Sequence, residues 1–210
     1  MHQRIRRGHV GHFVSCQIRP GQGRAWAAPL GQKLHTVCLK YPYALFIRPN
    51  SLITTCSWML PSWISISIGD IVVSSNLVQH DMDVTALGYK LGEIPGCDSL
   101  DFPADERCVS AALDAARELG FTATSGRIVS GDQFIASEDA KKRLVSNFSG
   151  LCCEMEGAAI AQVATTNAIP FVVIRTISDN GDSSEYEDFE EYAATRSAQL
   201  TERMVAILSE

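Results

Sequence analysis

The 210 residues are 46% hydrophobic and 20% charged, a composition that describes an ordinary globular chain with enough length for one substantial core. The formal net charge of −6 argues against nucleic acid as a partner. That average hides a division: residues 1–68 hold eight Lys or Arg and no Asp or Glu, while residues 69–210 hold ten basic and all 24 acidic residues, giving +8 and −14. All three Trp and four of the five His also fall in the first segment.

Residues 1–68 are therefore an unassigned basic segment, and residues 69–210 an α/β domain of different composition. The acid-free start admits several readings. An organelle transit peptide fits poorly with this length and three Trp. A basic arm for nucleic acid or a membrane surface would gather its charges, and here they are scattered. The uncharged run 49–69 contains Pro61 and many Ser and Thr, so it is not a spanning helix and no membrane partner is expected. The remaining readings are an upstream coding frame that is wrong and a divergent N-terminal region. No secretory signal is legible, and a cytoplasmic location is expected. Seven cysteines (16, 38, 56, 97, 108, 152, 153) lack metal-ligand spacing, so reduced thiols are expected, with no metal and no cofactor.

In chain order, GDIVVSSNLV (69–78) has the β-branched run of a strand. HDMDVTALGYKLGEIPG (80–96), with three Gly and a Pro, marks a long ordered loop. Pro103 opens a helix that runs to Leu119 and stops at Gly120. TATSGRIVSGD (122–132) contains the next strand. Ser137 caps a helix with Glu138 and Asp139 in its first turn. Residues 151–153 form a short strand and 156–166 a helix of small residues. IPFVVIRTI (169–177) is a strand buried on both faces. Residues 189–208 close the chain as an amphipathic helix.

Strands alternating with helices imply a sheet with helices on its faces, where ligands lie beyond the carboxyl ends of strands. Three polar clusters fall at such ends: Gly131-Asp132-Gln133-Phe134, Glu154-Met155-Glu156 and Ser178-Asp179-Asn180. Each has an alternative. The two glutamates before Gly157 could simply favour the positive end of a helix dipole, and Ser-Asp is a common turn or cap. Three clusters at three strand ends favour a ligand crevice.

VSGDQFI (129–135), CEMEGAAIAQV (153–163) and FVVIRTISDNGD (171–182) together resemble the methylthioadenosine/S-adenosylhomocysteine nucleosidases, in order and spacing from about Ser67 to the C-terminus. Nucleoside phosphorylases share the fold and are the nearest rival, and a catalytically inactive nucleoside-binding relative is a third reading. The resemblance implies a nucleoside phosphorylase-like three-layer fold, with a central mixed sheet flanked by helices. It implies hydrolysis of the adenine–ribose bond of adenosine thioethers, as in methionine salvage. Adenine leaves poorly as an anion, so an acid must protonate N7, and by similarity Asp179 is that acid with Ser178 orienting it. Phe134 would stack on the purine, and the backbone at Ile135 would read its edge. Glu156 would accept from the ribose hydroxyls while Met155 packs on the sugar. Arg175 would help fix the Ser-Asp turn, and Phe189 would cover the alkylthio end. Glu154 is left as a helix-terminus residue or minor contributor. The loop 80–96 is similar to the family's dimer-interface loop, which implies a homodimer.

Two upstream elements of the family are absent, so the fold is expected to lack the family's first strands. No Gly-Ala-Met-x-x-Glu turn supplies a water-activating glutamate, since residues 1–68 contain no acid. Where a Thr-Gly-x-Ala-Gly-Gly loop belongs, the chain reads TTCSWMLPSW (54–63). Trp58-Met59 must be encoded TGGATG, whose shifted readings give Gly or Asp, in keeping with a shifted frame.

Overall fold

A computed structural model describes residues 66–178 and 192–210 with their side chains, together with the backbone of Asp179, of 183–191 and of four short upstream strands. Those strands are β1 (His35–Cys38), β2 (Ala44–Arg48), β3 (Ser51–Ile53) and β4 (Ser57–Met59). The first three form an antiparallel sheet of their own.

The main sheet begins with β5 (Ile71–Gln79) and continues with β6 (Phe102–Pro103), β7 (Ala123–Ser130), β8 (Cys152–Glu154) and β9 (Ile174–Asp179). Its order is β6-β5-β7-β8-β4-β9, and β9 also pairs with β5, so five strands close on themselves and β6 extends from β5. The sheet is mixed: β5, β7 and β8 are parallel, while β9 runs antiparallel to β5 and parallel to β4. Although β4 lies upstream of the division at residue 68, it pairs with β8 and β9.

Four helices cover this sheet: α1 (Glu106–Glu118), α2 (Glu138–Phe148), α3 (Gly157–Thr166) and α4 (Ser183–Ile207). The β-branched runs of β5 and β9 are buried on both faces because helices lie on both sides. Val72, Leu77, Ile128 and Ile177 pack with Ala158, Ala161 and Ala164 of α3. Ile71, Val73 and Ile174 pack with Ala111, Ala112 and Ala115 of α1 and with Leu200 and Met204 of α4. This is the three-layer, nucleoside phosphorylase-like arrangement. Burying this much apolar side chain, at about 1.5–3 kcal/mol each, dominates its stability.

Several boundaries differ from those read in the sequence. Pro103 does not open a helix: Phe102–Pro103 pairs with Asn76 and Leu77 at the sheet edge, where a missing N–H is tolerated. Asp105 is the cap instead, its carboxylate accepting from Cys108 N at 3.0 Å. Gly120, at φ +68°, closes the helix as expected. Residues 169–173 precede β9 rather than belong to it, although Phe171, Val172 and Val173 are buried. The last helix starts at Ser183, six residues earlier than expected, because the acidic stretch suits a helix N-terminus. Ser137 caps α2 as expected, accepting from Ala140 N at 3.2 Å.

Candidate active site

The first of the three polar clusters leaves β7 at Ser130. Gly131 N donates to the Glu154 carbonyl at 3.1 Å, carrying the β7–β8 ladder one residue past the strand. Only glycine fits there: a Cβ would lie 2.5 Å from His80 Nε2 and 2.8 Å from Asp81 Cγ. The Asp81 carboxylate accepts from Asp132 N and from Gln79 Nε2, each at 2.7 Å. The loop 131–135 is thus clamped to the start of the 80–96 loop. Phe134 is 47% exposed beyond it, whereas Ile135 is buried among Val78, Val129, Leu144 and Phe148.

Beneath this loop His80 is buried, and burial pushes its pKa below the ordinary value, with Asp81 partly opposing. Its Nε2 stands 3.7 Å from Cys153 Sγ. Burial pushes the Cys153 thiol well above its usual range, and the Cys108 thiol up to about 12. Neither is available as a thiolate nucleophile near neutral pH. Cys97 and Cys108 carry free thiols.

The second cluster separates the two glutamates that the sequence leaves ambiguous. Glu154, the last residue of β8, is 1% exposed. Its carboxylate accepts from Gly157 N at 2.7 and 2.9 Å, from Glu156 N at 3.0 Å, from the Ser130 hydroxyl and from the Arg175 guanidinium. Those donors occupy the lone pairs a carboxylate has, so Glu154 is an acceptor and not an acid. Glu154 is therefore the group that serves the helix end. Glu156, at the cap position of α3, makes no side-chain cap bond and is half exposed. Its Oε2 lies 3.2 Å from Arg175 Nη2. Partial burial raises its pKa; the Met155 backbone N–H opposes this and the Asp132 charge adds to it. Met155 beside it is partly buried. Gly157 lets the helix start approach: a Cβ would meet Leu77 Cδ2 at 2.7 Å and Glu154 Oε1 at 2.9 Å.

The third cluster reaches the same region from the opposite direction. On β4, Trp58 pairs with Cys153 on one side and with Asp179 on the other. At about 4.8 Å per strand spacing, the backbones of Asp179 and Cys153 are roughly 10 Å apart. Ser178 is buried, and Arg175, three residues before it on β9, points to the two glutamates. The Thr176 and Ser197 hydroxyls, 2.7 Å apart and buried, tie β9 to α4. The side chains of Asp179 and Phe189, and all of Asn180, lie outside the described residues, as does most of the 54–63 stretch.

Three residues at this site were not singled out in the sequence: Ser130, His80 and Asp81. Glu154 takes the helix-terminus role, one of the two the sequence leaves open for it. The available signals were a Ser directly before Gly131 and a Glu three residues before Gly157, both at strand ends. Among the described residues no group of His, Cys, Asp or Glu is placed to hold a metal ion. No described helix is long and apolar enough to cross a membrane.

Fold and site together are those of an α/β enzyme, with the 131–135 loop and the carboxylate-bearing start of α3 at adjacent strand ends. Residues 64–206 match the model of the phosphorylase superfamily. An S-adenosylhomocysteine nucleosidase from Streptococcus pyogenes, solved with 5-methylthiotubericidin, is 34% identical, with 74% of this chain and 67% of that chain covered at a TM-score of 0.69. A 5′-methylthioadenosine/S-adenosylhomocysteine nucleosidase from Neisseria meningitidis, in complex with methylthio-immucillin-A, is 27% identical over 82% of this chain and 89% of that one, at 0.71. A futalosine hydrolase of Helicobacter pylori is 28% identical over 84% and 89%, at 0.67. The chain belongs to the phosphorylase superfamily, in its methylthioadenosine/S-adenosylhomocysteine nucleosidase branch.

Proposed function

We propose that this chain hydrolyses the adenine–ribose N-glycosidic bond of 5′-methylthioadenosine and S-adenosylhomocysteine, releasing adenine. The observation that carries the reading is the half-exposed Glu156 at the start of α3, 3.2 Å from buried Arg175 and next to the 131–135 loop. Glu156 accepts from the ribose 2′ and 3′ hydroxyls, and Met155 packs on the sugar. Phe134, already exposed at the loop tip, stacks on the purine, and the Ile135 backbone reads its edge. Asp179 protonates N7 as the bond stretches, with Ser178 orienting the carboxyl group, so adenine leaves neutral. Phe189 covers the alkylthio end. No cofactor takes part.

Residues 1–68 supply no glutamate to activate water, and unaided attack costs a factor of about 10²–10⁴ relative to an enzyme with a base in place. Retranslating the source DNA in all three frames tests whether this acid-free segment is a shifted frame. A Gly-Ala-Met-x-x-Glu or Thr-Gly-x-Ala-Gly-Gly pattern upstream supports that reading, and the absence of both overturns it. The chain acts as a cytoplasmic homodimer joined through the 80–96 loop, whose Leu87 is 74% exposed in the single chain.

The test is adenine release without phosphate by the 210-residue chain and by Asp179→Asn, with methylthioadenosine, S-adenosylhomocysteine and futalosine as substrates. Release from the thioethers that Asp179→Asn lowers by about 10²–10⁴ supports the proposal. A phosphate requirement would indicate a phosphorylase, and preference for futalosine would move the substrate. Binding without turnover would indicate an inactive relative.

A further inference from the structure

We propose that Ser130, at the root of the 131–135 loop, is a positioning residue whose buried hydroxyl sets the sugar-binding carboxylate Glu156. The inference rests on the nucleoside-binding roles given above to the 131–135 loop and Glu156. Ser130 is the last residue of β7 and is 1% exposed. Its hydroxyl donates to Glu154 Oε1 and accepts from Ala158 N at 2.7 Å. Its carbonyl accepts from His80 N at 2.8 Å, and the next residue's N–H is bonded to the Glu154 carbonyl. A single residue therefore contacts the loop that follows it, the last residue of β8, the second residue of α3 and the start of the 80–96 loop.

The route to Glu156 is short. The Glu154 carboxylate holds Glu156 N at 3.0 Å and pairs with Arg175, which in turn lies 3.2 Å from Glu156 Oε2. Without the Ser130 hydroxyl, one carboxylate oxygen of Glu154 loses a donor and the Ala158 N–H loses its acceptor in a site closed to water. Glu154 and the α3 start then readjust, and Glu156 moves with them. The loop 131–135 keeps its own anchors to Asp81 and to the Glu154 carbonyl. Ser130 thus acts on the sugar end more than on the base end, although it precedes the base loop in sequence.

The experiment is calorimetric binding of adenine and of a non-hydrolysable methylthio-nucleoside to the wild-type chain, Ser130→Ala, Glu156→Gln and the double variant. Ser130→Ala is expected to weaken the nucleoside by about tenfold while changing adenine by less than about twofold, the scale of one lost hydrogen bond. In the Glu156→Gln background the Ser130→Ala effect on the nucleoside is expected to vanish, because its route runs through that carboxylate. Equal losses for both ligands, or an undiminished effect in the Glu156→Gln background, would overturn the proposal. Should Ser130→Ala not fold, Ser130→Cys, which nearly keeps the volume and replaces the hydroxyl by a weak S–H donor, is expected to give the same split in smaller measure. Adenine release is measured in parallel. A wild-type chain that binds nucleoside without cleaving it refutes the hydrolase reading alone, and one that binds no nucleoside overturns both.

Discussion

Arg175→Met is the most informative perturbation of this fold. Arg175 and Glu154 are each 1% exposed and form a direct ion pair, with Ser130 and two backbone N–H groups completing the carboxylate's partners. Removing the cation leaves Glu154 charged, buried and short of its strongest donor. Breaking a buried pair from one side costs about 3–5 kcal/mol, because the surviving charge is uncompensated. Glu156, half exposed to water, adds little to that figure. A chain of this size shifts by about 2–4 °C per kcal/mol, so the midpoint should fall by roughly 6–20 °C. Thermal unfolding followed by circular dichroism reads this directly, with urea titration as a second measure. The double variant Glu154→Gln, Arg175→Met removes both charges and should recover at least half of the loss. A single variant within about 1 kcal/mol of wild type, or a double variant no better than the single, would refute the reasoning.

Gly157→Ala should destabilise the chain by about 1–3 kcal/mol, because the added methyl meets Leu77 Cδ2 at 2.7 Å and the held carboxylate of Glu154 at 2.9 Å. Chemical denaturation measures it, and a neutral variant would mean that the α3 start can shift freely. The pH dependence of KM should report Glu156. Its pKa is raised, chiefly by burial, so as pH falls it protonates before an ordinary glutamate and stops accepting from two hydroxyls. KM should therefore rise while pH is still above the ordinary value of 4.5, and Glu156→Gln should remove the dependence. The sign for stability is opposite. A raised folded-state pKa contributes stability below the unfolded value that is lost as pH rises through the folded one, so weaker binding on acidification is not unfolding. A KM that stays flat down to pH 4.5 would contradict the assignment.

The sequence by itself determined the alternation of strands and helices, the caps at Ser137 and Gly120 and the three polar clusters, because these depend on periodicity and local chain chemistry. It misplaced the start of the first helix, since Pro103 is as compatible with a sheet edge as with a helix opening, and only the pairing of Phe102–Pro103 with β5 decides. The motif order also carried the family, because spacing along the chain survives without coordinates. What the sequence could not divide was the work of the two glutamates. Glu154 and Glu156 are two residues apart and chemically identical, yet one is sealed in a network with Ser130 and Arg175 and the other faces solvent. That difference comes from residues 24 and 21 positions away, brought together by β7, β8 and β9. Burial and partner choice are long-range properties, and only tertiary structure sets them.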